Sequence, residues 1–289
     1  MSRIKDKAEK VMKNDDITIE TKPTIARIEL TGKCTLECSF CVNKDLKKDN
    51  LRQNYLTDED FDLIIDSLLD AKTITDVGMH YVGESGLHPR IAHYCKKLKE
   101  AGFNTYLTTN GTTVRNLLKA IPYIDNLEVS WNYKDSDDFE NKTGRDEGVY
   151  VRIINNIHTL WNECHKRDKK LALATILEDG SQKNDYAVIS LLPHDEHRFI
   201  TLEEKQGKQS QLPCWSLFKG VYIDTDLNLR TCTYGHNNEH ILGNLRVDTI
   251  DDILENAAPI KEQQLKNEIP KICEKCFSKN TESEQKEIE

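Results

Sequence analysis

From residue 24 onward the chain alternates short, β-branched apolar runs with amphipathic stretches of helical period. Residues 24–31 (TIARIELT), 76–82 (DVGMHYV), 104–109, 127–131, 171–177 and 198–202 read as strands. Between them, residues 61–69, 89–100, 113–121, 149–166 and 184–192 read as helices. The capping box Thr57-Asp58-Glu59-Asp60 opens the first helix, and Gly102 stops the second. The long fourth helix sets Val151, Ile154, Ile157 and Trp161 on one face. Six strands alternating with five helices is the pattern of parallel βα units. The predicted fold is α/β, a partial (β/α)6 TIM-like barrel over residues 24–205. No G-x-G-x-x-G or phosphate loop follows the first strand, which argues against a doubly wound nucleotide fold.

In a barrel of this kind, function sits at the C-terminal ends of the strands. Polar signals gather there. A cysteine-bearing loop follows the first strand and Gly83-Glu84 the second. Asn110-Gly111 follows the third, and Ser130 and Asn132 mark the end of the fourth. After residue 205 the texture changes: residues 207–213 are a polar linker, 221–232 read as a hairpin, and 250–254 start a short helix. Residues 206–277 are therefore expected to form a small cysteine-rich α+β extension, between a polar extension over 1–23 and a polar tail over 278–289. The string Asp224-x-Asp226-x-Asn228 has Leu229 and Gly235 where a calcium loop wants glycine and glutamate, so it reads as a turn.

Charge narrows the function. Lys+Arg minus Asp+Glu is 40 − 49 = −9 over 289 residues, which argues against nucleic acid and anionic membranes as partners. No apolar run reaches the length of a membrane span, and Met1 to Asp6 has no apolar signal segment. Nine cysteines without an export signal point to a reducing compartment, the cytoplasm, where clustered thiols mean metal or catalysis rather than disulfides. Asn141-Lys142-Thr143 then carries no meaning as a glycosylation acceptor.

Cys34, Cys38 and Cys41 fall within eight residues, Cys273 and Cys276 form a CxxC pair, and Cys214 and Cys232 lie 18 residues apart. Spacings of two and three residues let one loop present several thiolates to one centre, zinc or iron–sulfur. A triplet leaves one coordination position free, as a catalytic metal needs; a zinc knuckle with a remote fourth ligand is the alternative. For the other four cysteines the alternative is a structural zinc. Cys95 and Cys164 sit on apolar helix faces and read as core residues.

Cys34-x3-Cys38-x2-Cys41 after a first strand, with aromatic Phe40 before the last cysteine, resembles the signature of radical S-adenosylmethionine enzymes. Tyr81-Val82-Gly83-Glu84 resembles that family's Gly-Gly-Glu motif with Val82 in the first glycine's place. Thr108-Thr109-Asn110-Gly111 is similar to the family's third-strand end, and Val129-Ser130-Trp131-Asn132 to its fourth, with Asn132 where aspartate is common. Cys214, Cys232, Gly243-Asn244, Cys273 and Cys276 resemble the shortened auxiliary-cluster extension called twitch, kin of the larger SPASM extensions. The resemblance implies one [4Fe–4S] cluster on Cys34, Cys38 and Cys41 with an open iron for S-adenosylmethionine. It implies an auxiliary [4Fe–4S] cluster on Cys214, Cys232, Cys273 and Cys276. Phe40, Gly83, Glu84, Thr109, Asn110, Ser130 and Asn132 would line the cofactor.

The implied chemistry is one-electron cleavage of S-adenosylmethionine to a 5′-deoxyadenosyl radical, which abstracts a substrate hydrogen. The expected partners are a small-molecule substrate, oxidised with the auxiliary cluster as electron acceptor, and a flavodoxin or ferredoxin-like electron donor. A peptide substrate, crosslinked or epimerised, is the alternative; the 23 residues before the first strand are few for a peptide-recognition domain. A non-enzymatic metal-binding module is the third reading. Acid–base residues are barely legible: Glu203 is the catalytic candidate, with Glu204, Thr175, Glu178, His80 and Tyr81 also near strand ends.

Overall fold

The computed structural model describes residues 17–41, 53–178, 180–201, 212–232, 235 and 238–274. Its backbone is one sheet, in the order β6-β5-β4-β3-β2-β1-β7-β8-β9. Strands β1 (Ile25–Ile28), β2 (Asp76–Gly78), β3 (Asn104–Thr109), β4 (Asn126–Ser130), β5 (Leu171–Leu177) and β6 (Glu196–Thr201) pair in parallel, each with the next. Strands β6 and β9 (Ile241–Asn244) are the two edges of the sheet and, among the described residues, do not pair with each other, so the partial barrel stays open.

The helices between strands are α1 (Asp58–Asp70), α2 (Ile91–Glu100), α3 (Arg115–Ala120), α4 (Ser136–Thr143) and α5 (Glu147–His165). The predicted cap on α1 is real: Thr57 Oγ1 accepts from the Asp60 N–H at 3.1 Å. Helix α1 buries Phe61, Ile64, Ile65 and Leu68, and α2 buries Ile91, Tyr94, Cys95 and Leu98. Both cysteines lie in the apolar core, and burial pushes the Cys95 thiol up to about 12 and the Cys164 thiol up to about 11. These side chains and the inward residues of β1 to β5 form one continuous core.

Two expectations change, and one helix is new. The buried face of α5 is Tyr150, Ile153, Ile157, Leu160 and Cys164, while Val151 is 46% exposed. The helix starts at Glu147 on the Asp146 cap, and its neighbours select a face rotated from the most apolar stripe. Helix α4 was not legible, because its sequence SDDFENKT is nearly all polar. Residues Lys183–Leu191 form a 3₁₀ segment with a kink at Tyr186, not an α-helix.

The C-terminal unit continues the same sheet. Helix α6 (Trp215–Lys219) leads into β7 (Gly220–Ile223), which pairs in parallel with β1. Strand β8 (Asn228–Arg230) folds back on β7, and β9 pairs with β8, both antiparallel. The β7–β8 turn is held by Asp224, which accepts from the N–H of Asp226 and of Asn228 at 3.0 Å and pairs with Arg230 at 2.7 Å. Its carboxylate is therefore engaged in the turn, as the sequence reading expected. Helices α7 (Ile250–Glu255) and α8 (Ala258–Leu265) complete the unit. Ile17 packs with Leu217, Phe218 and Ala257, so the segment before β1 rests on it. Among the described residues no helix is long and apolar enough to cross a membrane.

Candidate functional site

The loop after β1 carries Cys34, Cys38 and Cys41, all half-buried. Leu36 is fully buried between them and pins the loop to the barrel core, with Cys34 and Cys38 packed against that core. The Cys41 N–H donates to the Cys38 carbonyl at 3.0 Å, which closes a turn between the last two cysteines. Helix α4 fastens the outer side: the Ser39 N–H donates to the Lys142 carbonyl at 2.8 Å, and Arg145 Nε donates to the Thr35 carbonyl at 3.0 Å. The buried Tyr133 phenol lies beside Cys38. Burial, then the charge and hydrogen bond of Cys38, push its pKa well above the ordinary value.

The turn after β2 lies against this loop. Gly83 has φ +74°, and a Cβ there would stand 2.2 Å from the Thr31 carbonyl oxygen and 2.6 Å from that of Lys33. Only glycine fits. The Glu84 N–H donates to the Lys33 carbonyl at 2.7 Å. Val82, in place of a glycine, buries its side chain with Tyr81, Tyr222 and Cys232.

The Glu84 carboxylate is a strut between strand ends. It accepts from the Gly86 N–H at 2.9 Å, from the Thr109 hydroxyl at 2.7 Å and from the Asn110 N–H at 2.7 Å. Burial raises its pKa, and these three donors work the other way. Asn110 then reaches the thiol loop, with Nδ2 3.5 Å from Cys34 Sγ and 3.3 Å from Thr35 Oγ1. Its Oδ1 accepts from the Thr112 N–H at 2.9 Å, which fixes the amide's orientation.

At the β4 and β5 ends, Ser130 lies opposite Ala174. Asn132 Oδ1 accepts from the Ile176 N–H at 2.9 Å, joining the two strand ends. The buried Lys142 donates to the Asn132 carbonyl at 3.1 Å and pairs with Asp138 at 2.9 Å and Glu178 at 3.0 Å. Thr175 donates to the Trp131 carbonyl at 2.6 Å, and His80 accepts from the Thr108 N–H at 3.2 Å. Thr175, Glu178 and His80 thus have structural partners. Phe40 is half-buried, and Glu203 and Glu204 lie outside the described residues.

The second thiol set stands beside β7. Cys214 precedes α6, Cys232 follows β8, and Cys273 ends a 3₁₀ turn over Lys271–Cys273. Tyr81, one residue before Val82, donates its hydroxyl to the Cys232 carbonyl at 3.2 Å and so links the two sites. Burial first, and the nearby Cys232 in the same sense, push the Cys214 thiol up to about 11. Gln264 touches both Cys214 and Cys273. Cys276 lies outside the described residues. Among the described residues no three His, Cys, Asp or Glu side chains close around a single ion. A four-iron cluster asks for a wider set, one thiolate on each iron. The half-buried triplet, backed by Leu36, Tyr133 and the Asn110 amide, fits such a group with one iron left open. Sequence reading missed Tyr133, Arg145, Lys142 and Gln264. Arg145 directly after Gly144 was the one available signal, a basic residue at a helix stop.

An open parallel sheet with a thiol triplet after its first strand, continued into a second thiol-bearing unit, is the layout of a radical S-adenosylmethionine enzyme with a SPASM-type domain. Comparison with known proteins supports that class. The family model SPASM, described as an iron–sulfur cluster-binding domain, matches residues 214–277. The tungsten-containing aldehyde ferredoxin oxidoreductase cofactor-modifying protein of Pyrococcus furiosus is 31% identical over 88 residues, 29% of this chain. The chain spans 23% of that relative's length. Among solved structures, BtrN in complex with AdoMet and 2-DOIA has a TM-score of 0.55 at 11% identity, over 84% of this chain and 87% of that one. The protein anSMEcpe with bound AdoMet and Cp18Cys peptide has a TM-score of 0.62 at 12% identity, over 88% and 86%. Streptococcus suis SuiB bound to precursor peptide SuiA has a TM-score of 0.53 at 13% identity, over 86% and 68%. At these identities the solved structures establish the fold.

Proposed function

We propose that the protein reductively cleaves S-adenosylmethionine and abstracts a hydrogen atom from a small molecule, with an auxiliary cluster accepting an electron in a dehydrogenase-like reaction. The observation that carries this reading is that two thiol sets share one sheet. The first follows β1, Cys214 and Cys232 of the second bracket the α6–β7–β8 segment, and β1 and β7 are hydrogen-bonded neighbours. When bound, a reduced [4Fe–4S] cluster supplies the electron that breaks the sulfonium C–S bond and releases a 5′-deoxyadenosyl radical.

Cys34, Cys38 and Cys41 hold three irons of the first cluster. The backbone of Gly83 and Glu84 receives the methionine amino group, which explains why Val82 is tolerated: backbone carbonyls do not depend on that side chain. Thr109 acts through the Glu84 strut, and Asn110 reaches the thiol loop. Ser130 and Asn132 lie on the ribose side, and Phe40 covers the loop. Leu36 and Tyr133 keep water from the inner thiols. Cys214, Cys232, Cys273 and Cys276 hold one auxiliary cluster, the shortened twitch form. Glu203 is the candidate catalytic residue. On this reading the work belongs in the cytoplasm, with a flavodoxin or ferredoxin-like donor, because clustered thiolates that bind metal suit a reducing compartment.

The peptide-bound relatives anSMEcpe and SuiB favour a second reading, a peptide substrate. BtrN, with its small molecule, favours the first. The test is anaerobic reconstitution with iron and sulfide, followed by dithionite and S-adenosylmethionine. About eight irons per chain and released 5′-deoxyadenosine are expected. Zinc in place of iron, or no 5′-deoxyadenosine, would refute the proposal in favour of a non-enzymatic metal module.

A further inference from the structure

Helix α8 turns an unusual face inward: its buried residues are Lys261 and Gln264. Gln264 is 1% exposed. A buried carboxamide without partners is strongly disfavoured, so its contacts explain its place. Gln264 Oε1 accepts from the Cys214 backbone N–H at 2.8 Å. Gln264 Nε2 stands 3.4 Å from Cys273 Sγ. The orientation follows from the chemistry. A backbone N–H can only donate, so the oxygen must face Cys214 and the NH₂ must face the sulfur.

We propose that Gln264 is a positioning residue for the auxiliary cluster, joining Cys214 and Cys273 into one ligand pair and making the cluster easier to reduce through its N–H···S bond. This rests on the reading of Cys214 and Cys273 as cluster ligands. Reduction adds negative charge that spreads onto the thiolate sulfurs. A donor aimed at Cys273 Sγ stabilises that charge more in the reduced state than in the oxidised one, which raises the potential. A higher potential suits a cluster that accepts an electron from a substrate radical. Burial and the Cys214 N–H hold the amide in place: Gln264 is 1% exposed, and its Oε1 is tied to the Cys214 backbone at 2.8 Å, which leaves Nε2 on the Cys273 side.

The test is an EPR-monitored redox titration of the reconstituted protein and of Gln264→Met, which is neutral, of similar length and without N–H. The Met variant is expected to keep about eight irons. Its auxiliary reduction equilibrium falls about tenfold, or about 59 mV for a one-electron couple. The cluster on Cys34, Cys38 and Cys41 keeps its potential and serves as the internal control. An unmoved auxiliary potential with iron retained would overturn the inference alone. A wild-type protein without auxiliary iron would overturn the underlying reading of the thiols. Should the variant fail to hold the cluster, wild-type protein carrying side-chain ¹⁵N glutamine decides. A ¹⁵N hyperfine coupling at the reduced auxiliary cluster supports the bond, and its absence overturns it.

Discussion

Glu84→Gln isolates the part of the site that a sequence motif would credit to cofactor contact. Thr109 and Gly86 both donate to Oε1, and Asn110 donates to Oε2. A glutamine with its oxygen at the Oε1 place keeps two of the three donors satisfied. Its NH₂ then faces the Asn110 N–H, donor against donor. The reversed amide loses two acceptors and is worse. The smallest loss is therefore one buried donor, about 1–3 kcal/mol. At about 2 kcal/mol the melting temperature falls by about 4–8 °C for a domain of this size. Glu84→Ala strands all three donors and is expected to cost roughly 3–6 kcal/mol. The assay is scanning calorimetry under anaerobic conditions, paired with S-adenosylmethionine binding. Because Asn110 stands next to Cys34, the Gln variant should also bind S-adenosylmethionine more weakly. An unchanged melting temperature would refute the strut. Unchanged stability with abolished binding would make the carboxylate a direct cofactor ligand instead.

Replacing Cys34, Cys38 and Cys41 together by Ala should remove about four irons and all 5′-deoxyadenosine formation; iron counting and chromatography check this, and surviving cleavage would break the assignment. Val82→Gly restores the family's glycine but empties a buried site against Tyr222 and Cys232. It should destabilise by about 2 kcal/mol or more, with S-adenosylmethionine cleavage retained, as read by thermal unfolding and a turnover assay. His197 donates from Nε2 to Thr175 Oγ1 at 3.0 Å, the hydroxyl's own proton going to the Trp131 carbonyl. Burial, with His194 nearby, lowers its pKa to about 4. The folded state then binds fewer protons than the unfolded state, so stability is full above about 6.5 and is lost as pH falls toward 4. Discounted for its partial exposure, the effect is about 1–2 kcal/mol. Denaturant titrations at pH 7 and pH 4.5 should show it, and His197→Gln should flatten it.

The strand–helix alternation, the thiol triplet and the glycine turn were legible because each depends on local spacing. Residues 104–109 are rich in strand-favouring Thr and Tyr, residues 171–177 are an apolar run of strand length, and β3 and β5 occupy those bounds. Gly83 could be expected at a tight turn, and its φ of +74° bears that out. Cys95 and Cys164 were legible as core for the same local reason, their place on apolar helix faces. Helix α4 was not, since a polar helix owes its place to what it holds rather than to a buried stripe. The rotation of α5's buried face likewise came from its neighbours.

By itself, then, the sequence determined that the chain is a βα-repeating fold whose first loop presents three thiols and whose end presents more. Local dihedral preference and short-range periodicity suffice for that. Only the tertiary structure decided that β7 joins β1, so that both thiol units share a single sheet. It alone turned Glu84 from a motif letter into a buried strut, and placed Gln264 between Cys214 and Cys273. These are contacts between residues far apart in the chain. Their partners are chosen by packing and by the need of every buried donor and acceptor to find one another, which no local spacing encodes.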